Sequence, residues 1–187
     1  GGPPGKIIFT CQIYKVQSSN QICVINADGP GSRRLTTDST RQQYYGSPSP
    51  DGTSVVYAGF REANVYEIYE MDLASGDVEQ LTERLGVLNA PEISPDGKQI
   101  AFMHWIAATD RFEIWVMGRD GSKPHRLLNI TGWDPTWAPD GSQILFASNR
   151  TGSNQLWAAN LDGSGLRQVS DLPDLRGRSE WSVRNQI

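Results

Sequence analysis

Short apolar runs alternate with polar turns along the whole chain. The runs between turns are four to six residues long and rich in Val, Ile, Tyr and Trp, and they contain apolar segments such as Val55-Val56-Tyr57 and Ile144-Leu145-Phe146. Runs of this length and composition are typical of β-strands. No segment carries a sustained helical period, so the pattern predicts an all-β protein with almost no helix.

An internal repeat of about 44 residues organises these runs. Three segments share a Ser/Ala-Pro-Asp-Gly core, at 49–52, 94–97 and 138–141, and their aspartates are 45 and 44 residues apart. A degenerate fourth copy at 181–185 follows at the same spacing. Proline fixes φ and Asp-Gly supplies a tight turn, so each core is predicted to join two antiparallel strands.

Each repeat continues with an apolar run, an alternating segment, a Gly-containing turn and a last short strand. The repeat therefore predicts four short strands, an inner one before the Pro-Asp-Gly core and three after it. A lone four-stranded sheet cannot bury both faces, whereas radial stacking of such sheets does. We therefore predict a β-propeller of four four-stranded antiparallel blades. The alternating segments are Gln21–Val24, Glu67–Glu70, Glu113–Val116 and Gln155–Ala158.

The motif order gives a family resemblance. A Trp-Ser/Ala-Pro-Asp-Gly turn is followed by an Ile/Leu-Tyr/Trp strand, an Asp-Gly-Ser turn and Arg-Leu-Thr. This order resembles the repeats of TolB-like propellers, also called WD40-like or PD40 repeats, and it covers about 180 of the 187 residues. The resemblance implies a β-propeller, usually outside the cytoplasm, that works through protein contacts or scaffolding.

The order of strands predicts how the propeller closes. The chain opens on the second strand of a blade, Lys6 to Cys11, and ends on an inner strand, Ser179 to Val183. The C-terminal strand is therefore expected to complete the first blade in a velcro closure. Two alternatives are a fragment of a larger propeller and two chains pairing into an eight-bladed ring. The predicted domains are a linker remnant at 1–5 and one propeller at 6–187, with repeats at about 6–46, 47–90, 91–134 and 135–178 and a closing strand at 179–187.

The net charge and the hydropathy of the chain limit the classes of partner that we expect. The net charge is -4 and no Lys/Arg run stands out, so nucleic acid is not the expected partner. No apolar stretch approaches the length of a membrane span, so direct membrane insertion is not expected either. The expected partner is a protein, with self-association as a further option.

The two cysteines, Cys11 and Cys23, have two interpretations. They fall on adjacent predicted strands of the first repeat and show no metal-type spacing. They are either small core residues or a cross-strand disulfide, and the disulfide requires an oxidising compartment.

Catalytic motifs are absent from the sequence. There is no G-x-S-x-G elbow, P-loop, H-E-x-x-H or G-x-G-x-x-G, and neither His104 nor His125 has a partner at a recognised spacing. The Asp-Gly-Ser segments lack the alternating acidic ligands of calcium loops and are interpreted as turns. We expect no enzymatic activity, no cofactor and no metal.

Aromatic and arginine residues that the repeat does not require point to a recognition surface. They fall in predicted loops after the second strand and before the inner strand, which emerge on one face of a propeller. The sequence predicts a protein-interaction or scaffold module outside the cytoplasm. The alternatives are a structural subunit that self-assembles through its edges or faces, and the accessory propeller of a larger peptidase. The predicted partner-binding residues are Tyr44, Tyr45, Trp105, Trp133, Asp134, Arg150 and Arg178.

Overall fold

The computed structural model describes residues 5–13, 19–38, 40–173 and 175. Within these residues every regular element is a β-strand, and no helix is long and apolar enough to cross a membrane. The strands are β1 (Lys6–Ile13), β2 (Ser19–Asn26), β3 (Arg33–Arg34), β4 (Gln43–Pro48), β5 (Ser54–Glu62), β6 (Val65–Asp72), β7 (Val78–Gln80), β8 (Leu88–Ile93), β9 (Gln99–Ile106), β10 (Arg111–Gly118), β11 (His125–Arg126), β12 (Trp133–Trp137), β13 (Gln143–Ser148), β14 (Gln155–Asn160) and β15 (Arg167–Gln168).

The strands form four sheets in which each strand is hydrogen-bonded to the next along the chain. The sheets are β1-β2-β3, β4-β5-β6-β7, β8-β9-β10-β11 and β12-β13-β14-β15. The predicted all-β class and sheet order are confirmed. The first sheet has three strands in the described part of the chain. The predicted closing strand Ser179–Val183 lies outside the described residues.

The predicted repeat boundaries cut through the inner strands. β4, β8 and β12 begin at residues 43, 88 and 133, whereas the sequence placed the boundaries at 47, 91 and 135. The difference arises because the inner strand begins several residues before the Pro-Asp-Gly turn that marks the repeat. The sequence pattern identifies the turn and not the strand that leads into it.

The chain divides into two compact units, Gly1–Pro91 and Glu92–Ile187. In the first unit, Ile22 of the first sheet packs with Val55, Tyr57 and Met71 of the second. In the second unit, one apolar cluster consists of Leu145, Leu156 and Ala158, with Leu175 packed against it. Burial of these alternate strand positions is the main driving force for stacking the sheets.

The Pro-Asp-Gly segments form the turns that the sequence predicts. In each turn the aspartate Oδ1 accepts a hydrogen bond from the backbone N–H two residues further on. The following glycine has φ between +70° and +73°, the left-handed region that favours glycine. The bonds are Thr53 to Asp51 (3.0 Å), Lys98 to Asp96 (3.1 Å) and Ser142 to Asp140 (3.0 Å).

A disulfide joins Cys11 of β1 to Cys23 of β2, with 5.9 Å between the Cα atoms. The pairing is diagonal, because Cys23 is opposite Phe9 and Cys11 is opposite Gln21 in the strand register. Of the two interpretations that the sequence allowed, the structure has the disulfide.

Candidate recognition site

The strands of each sheet begin and finish at two opposite ends of the sheet, and these ends differ in character. The inner strand and the third strand of the repeat both begin at one of these ends, which we call the loop edge. In the second sheet, for example, Gln43 of β4 is opposite Gly59 of β5, which is opposite Glu67 of β6. The Pro-Asp-Gly and Asp-Gly turns lie at the other edge, which we call the turn edge. The predicted recognition residues that the structure describes lie at the loop edges.

A buried polar residue lies at the loop edge of each of the strands β2, β6, β10 and β14. These residues are at most 2% exposed, which is unusual for glutamine and glutamate. Such groups persist in a core only when their hydrogen bonds are satisfied. They are Gln21, Glu67, Glu113 and Gln155.

Each of the two glutamines binds the backbone that follows the last strand of its sheet, β3 for Gln21 and β15 for Gln155. The Gln21 Nε2 group donates to the carbonyl oxygens of Asp38 (3.0 Å) and Arg41 (2.9 Å). Gln155 Nε2 donates to the Leu172 carbonyl (2.6 Å), and its Oε1 accepts from the Leu172 N–H (3.0 Å). These bonds fix loop backbone against a strand, so the loop edge is rigid.

Glu67, a buried carboxylate, likewise binds the backbone that follows the last strand of its sheet. Its two oxygens accept from the Thr82 hydroxyl and from the Arg84 backbone N–H. The Thr82 oxygen in turn accepts from the Ile68 N–H at 2.9 Å. Two donors aimed at the carboxylate offset much of the free energy lost when it leaves water.

The third sheet departs from this arrangement. Leu128 stands where the other sheets have Thr36, Thr82 or Ser170, so no hydroxyl is available to the buried Glu113. Arg111 compensates, with Nη2 2.7 Å from Glu113 Oε1, and Arg126 Nη1 lies 3.7 Å from Oε2. An ion pair therefore replaces the hydroxyl bond in this sheet.

The inner strands share a left-handed residue near the loop edge. Tyr45 (φ 57°), Ala90 (φ 48°) and Asp134 (φ 49°) are spaced like the Pro-Asp-Gly aspartates. The strand register shifts between Tyr44 and Ser47 in the second sheet and between Trp133 and Thr136 in the fourth. A left-handed conformation is uncommon for residues other than glycine, and such strain is concentrated at functional sites.

An aromatic patch lies at the loop edge of the second sheet. We define it as Tyr44, Tyr45, Phe60 and Tyr66. The ring centroids of Tyr44 are 6.2 Å from Tyr45 and 6.0 Å from Tyr66, and Phe60 is 5.5 Å from Tyr66. Burial raises the pKa of the Tyr66 hydroxyl, and the neighbouring Tyr44 raises it further. Tyr45 is 36% exposed, so the patch presents aromatic surface to solvent.

Four of the predicted residues lie in the described part of the second unit. Trp105 packs edge-on against Phe112, with centroids 5.1 Å apart. Trp133 and Asp134 are half-buried on β12. The Arg150 guanidinium lies over the ring of Trp157, with Cζ 4.8 Å from the centroid, so this arginine is anchored by a cation–π contact.

The placement of these residues corrects one prediction. The sequence assigned Tyr44, Tyr45, Trp105, Trp133 and Asp134 to loops, but the structure has them on β4, β9 and β12. For β4 and β12 the assignment was wrong because the bulged strand begins before the alternating pattern becomes regular, and for Trp105 it was wrong because β9 continues to Ile106. Arg150 lies in the turn after β13 as predicted, and Arg178 lies outside the described residues.

Sequence reasoning missed Tyr66, which joins Tyr44 to Phe60. The signal was available in the hairpin of β5 and β6, where Phe60 is opposite Tyr66. Asn64 (φ 60°) makes this turn tight, and a tight turn brings the two strand ends together.

At the turn edges, aspartate carboxylates accept hydrogen bonds from the backbone of their own turns. Asp120 Oδ1 accepts from Ser122 N–H at 3.0 Å, and Asp162 Oδ1 accepts from Ser164 N–H at 2.9 Å. Hydrogen bonds from the serines lower the pKa of both carboxyl groups. These Asp-Gly-Ser segments are turns, as the sequence predicts.

The two histidines have different surroundings. The His104 ring packs edge-on against Trp115, with centroids 4.6 Å apart. His125 Nδ1 lies 3.0 Å from the Lys123 carbonyl oxygen on the exposed β11. The described residues include no group of three or more His, Cys, Asp and Glu side chains that could hold a metal ion.

Known proteins with similar sequences belong to the family that the repeat indicates. A family model described as the TolB beta propeller domain, PD40, matches residues 4–187. The Tol-Pal system protein TolB of Anaeromyxobacter dehalogenans strain 2CP-1 is 35% identical over 187 residues, covering 96% of this chain and 42% of that protein. The chain therefore spans less than half the length of this relative.

Two solved structures have the same fold. TolB from Acinetobacter baumannii superposes with a TM-score of 0.85 at 24% identity, covering 98% of this chain and 47% of that one. The putative TolB from Agrobacterium tumefaciens gives a TM-score of 0.75 at 26% identity, covering 87% and 60%. The family resemblance seen in the sequence is confirmed.

Proposed function

Because the chain belongs to the family of TolB β-propeller domains, we propose that it is a non-catalytic protein-recognition module acting outside the cytoplasm. Its partner binds at the loop edges, and the aromatic patch is the anchor. Relatives called TolB are named as components of a Tol-Pal system. The partner we propose for this chain is a protein of such a system.

The observation that carries the proposal is the contrast between the two edges of the second sheet. At the loop edge, Tyr44 and Tyr45 lie on a strand and form part of a cluster of four rings. At the turn edge, Asp51 is bonded to its own turn. Exposed tyrosines on a rigid scaffold are typical anchors of protein interfaces, because they bury much area and lose little conformational entropy.

The disulfide supports the proposed location. Disulfides form and persist in secreted and periplasmic proteins, whereas the cytosol keeps thiols reduced. Cys11 and Cys23 are bonded within a single sheet, and the described residues include no free cysteine. An extracytoplasmic setting accounts for this bond.

Calorimetric titration with the Pal component of the Tol-Pal system from the same organism tests the proposal. The variant Tyr44→Ala/Tyr45→Asn removes both rings, and asparagine accepts the left-handed backbone of position 45. Loss of buried aromatic anchors is expected to weaken binding by about thirtyfold or more. The matched control, Thr53→Ala/Lys98→Ala, changes exposed residues of the turn edges and should bind like the parent.

Four results would contradict the proposal. The parent chain could fail to bind the Pal component, or the control could lose binding while the tyrosine variant keeps it. Sedimentation could also show concentration-dependent polymers of the free chain, which would favour a self-assembling structural subunit. Hydrolysis of peptide substrates by the chain would contradict its non-catalytic role.

A further inference from the structure

A cavity of about 320 Å³ lies in the first unit, between the second sheet and residues that follow β3. This volume falls within the range of small-molecule pockets. The cavity is distinct from the aromatic patch, with which it shares only Phe60. Its lining residues are Leu35, Thr36, Thr37, Asp38, Arg41, Gln43, Tyr57, Phe60, Tyr69, Met71, Gly76 and Val78.

Aromatic and aliphatic side chains form much of the wall. The rings of Tyr57 and Tyr69 are stacked, with centroids 5.7 Å apart and an interplanar angle of 18°. Leu35 and Met71 add apolar surface, and a thioether contacts aromatic rings favourably. A wall of this kind suits a flat, apolar ring.

Two polar atoms of the lining have no hydrogen-bond partner within the described part of the chain. Gln43 is 7% exposed, and its Oε1 has no hydrogen-bond partner among the residues that the structure describes. The Tyr69 hydroxyl likewise has none in the described part of the chain. An amide oxygen only accepts hydrogen bonds, so Gln43 requires a donor. A ligand that brings an N–H or O–H group would satisfy it.

Gly59 is the reason these two side chains lie side by side. A Cβ added at Gly59 would stand 2.5 Å from Gln43 Oε1 and 2.8 Å from the Tyr69 ring. The third and fourth sheets have His104 and Ser148 at the corresponding positions. The pairing of amide and phenol is therefore specific to the second sheet.

The charges at the cavity compensate each other. Arg41 Nε lies 3.3 Å from Asp38 Oδ2, and both side chains are about half exposed. Burial raises the pKa of Tyr57 to about 12, so this phenol is neutral at physiological pH. A neutral ligand fits such a lining better than an ion.

We infer that this cavity binds a neutral planar ring of about indole size that carries a hydrogen-bond donor for Gln43. The ring can belong to a free small molecule or to a tryptophan side chain of another protein. This inference goes beyond the proposed function, since the cavity and the aromatic patch are altered by different variants.

Titration followed by two-dimensional NMR tests the inference with three probes. Indole represents a free ring and N-acetyltryptophanamide a ring attached to a peptide backbone. Benzofuran has the same shape as indole but no N–H. Loss of one neutral hydrogen bond is expected to weaken benzofuran about five- to tenfold relative to indole. Binding of indole alone indicates a free ring, and comparable binding of the amide indicates a protein side chain.

Two variants place the site. Val78→Trp is expected to fill the cavity from its rim, where Val78 is 49% exposed, and to abolish indole binding. Leu166→Trp is the matched control at the corresponding position of the fourth sheet, outside the cavity lining. Gln43→Met should remove the preference for indole over benzofuran. Gln43→Leu, which also lacks the amide oxygen, serves in its place if Gln43→Met does not fold.

The inference is overturned if neither indole nor the amide binds at millimolar concentration. It is also overturned if Val78→Trp binds indole like the parent, or if benzofuran binds as tightly as indole. Binding of the Pal component by the Val78→Trp variant leaves the proposed function intact whatever the indole result.

Discussion

Cys23 occupies in the first sheet the position that Trp115 occupies in the third. Cys23 is bonded to Cys11, and the Trp115 ring packs against His104, which stands at the corresponding place on the neighbouring strand. Both pairs are diagonal contacts between neighbouring strands, β1 and β2 in the first sheet and β9 and β10 in the third. The first sheet therefore has a covalent bond where the third has ring packing.

Removal of this bond is expected to destabilise the first sheet. The disulfide closes a loop with a sequence separation of 12. The variant Cys11→Ala/Cys23→Ala should lower the free energy of unfolding by about 3 kcal/mol, because the unfolded chain regains conformational entropy. Urea denaturation followed by tryptophan fluorescence measures the loss.

Reduction supplies the control. Dithiothreitol should destabilise the parent chain by a similar amount and leave the double variant unchanged. Equal stability of parent and variant under oxidising conditions would show that the bond does not support the sheet.

Glu67 gives a second prediction, on the buried acceptors of the third strands. Glu67→Leu leaves the Thr82 hydroxyl and the Arg84 N–H without their acceptor. Each unsatisfied donor costs about 1–3 kcal/mol, so stability should fall by about 2–4 kcal/mol. Denaturant titration provides the free energy of unfolding.

Glu67→Gln is the matched control. In the fourth sheet, Gln155 Oε1 accepts from both the Ser170 hydroxyl (2.8 Å) and the Leu172 N–H (3.0 Å). A glutamine at position 67 can accept the same two bonds, so its cost should stay within about 1 kcal/mol. If glutamine and leucine are equally harmful, the carboxylate has a role that hydrogen bonding does not explain.

The left-handed backbone of Tyr45 gives a third prediction. Tyr45→Val places a β-branched residue at φ 57°, where its side chain crowds the backbone. This variant should be about 1–2 kcal/mol less stable than Tyr45→Gly, which adopts the conformation freely. Thermal melts of the two variants make the comparison. Similar melting temperatures would mean that the strand can abandon its bulge.

Acid should destabilise the protein through the turn aspartates. Hydrogen bonds within the turns lower the pKa of five carboxyl groups in the folded state. Groups with a lowered pKa stabilise the fold above the ordinary aspartate value, and this contribution is lost as the pH falls through the folded values. The melting temperature should therefore decline between about pH 5 and pH 2. The residues are Asp72, Asp96, Asp120, Asp140 and Asp162.

A variant with asparagine at these five positions tests the cause. Asparagine keeps a side-chain acceptor for the turn but does not titrate. Its melting temperature should decline less steeply over the same pH interval. An identical decline in both proteins would assign the acid sensitivity to other groups.

The fold could be predicted because its turns have strong local signals. Proline and glycine fix the backbone at Pro139 and Gly141. The apolar run Ile144-Leu145-Phe146 is buried as a strand. Trp157 belongs to the predicted alternating segment Gln155–Ala158, and it is 8% exposed. Local chemistry determines these features, so the sequence alone reveals them.

The details of the site depend on contacts that are distant in sequence. Nothing around Tyr45 signals a left-handed residue, because tyrosine has no preference for that conformation. Glu67 resembles an exposed strand residue until Thr82 and Arg84 are brought to it, 15 and 17 residues away. The bulge and the buried carboxylate therefore had to be observed in the structure.

The central claim is that the partner binds at the loop edge of the second sheet. Two-dimensional NMR of the labelled chain, with and without a saturating amount of the Pal component, tests it most directly. We predict that the largest shift changes occur at the amides of Tyr44, Tyr45 and Tyr66, while those of Asp96 and Asp120 stay unchanged. Large changes at the Asp96 and Asp120 turns, with Tyr44, Tyr45 and Tyr66 unaffected, would contradict the claim.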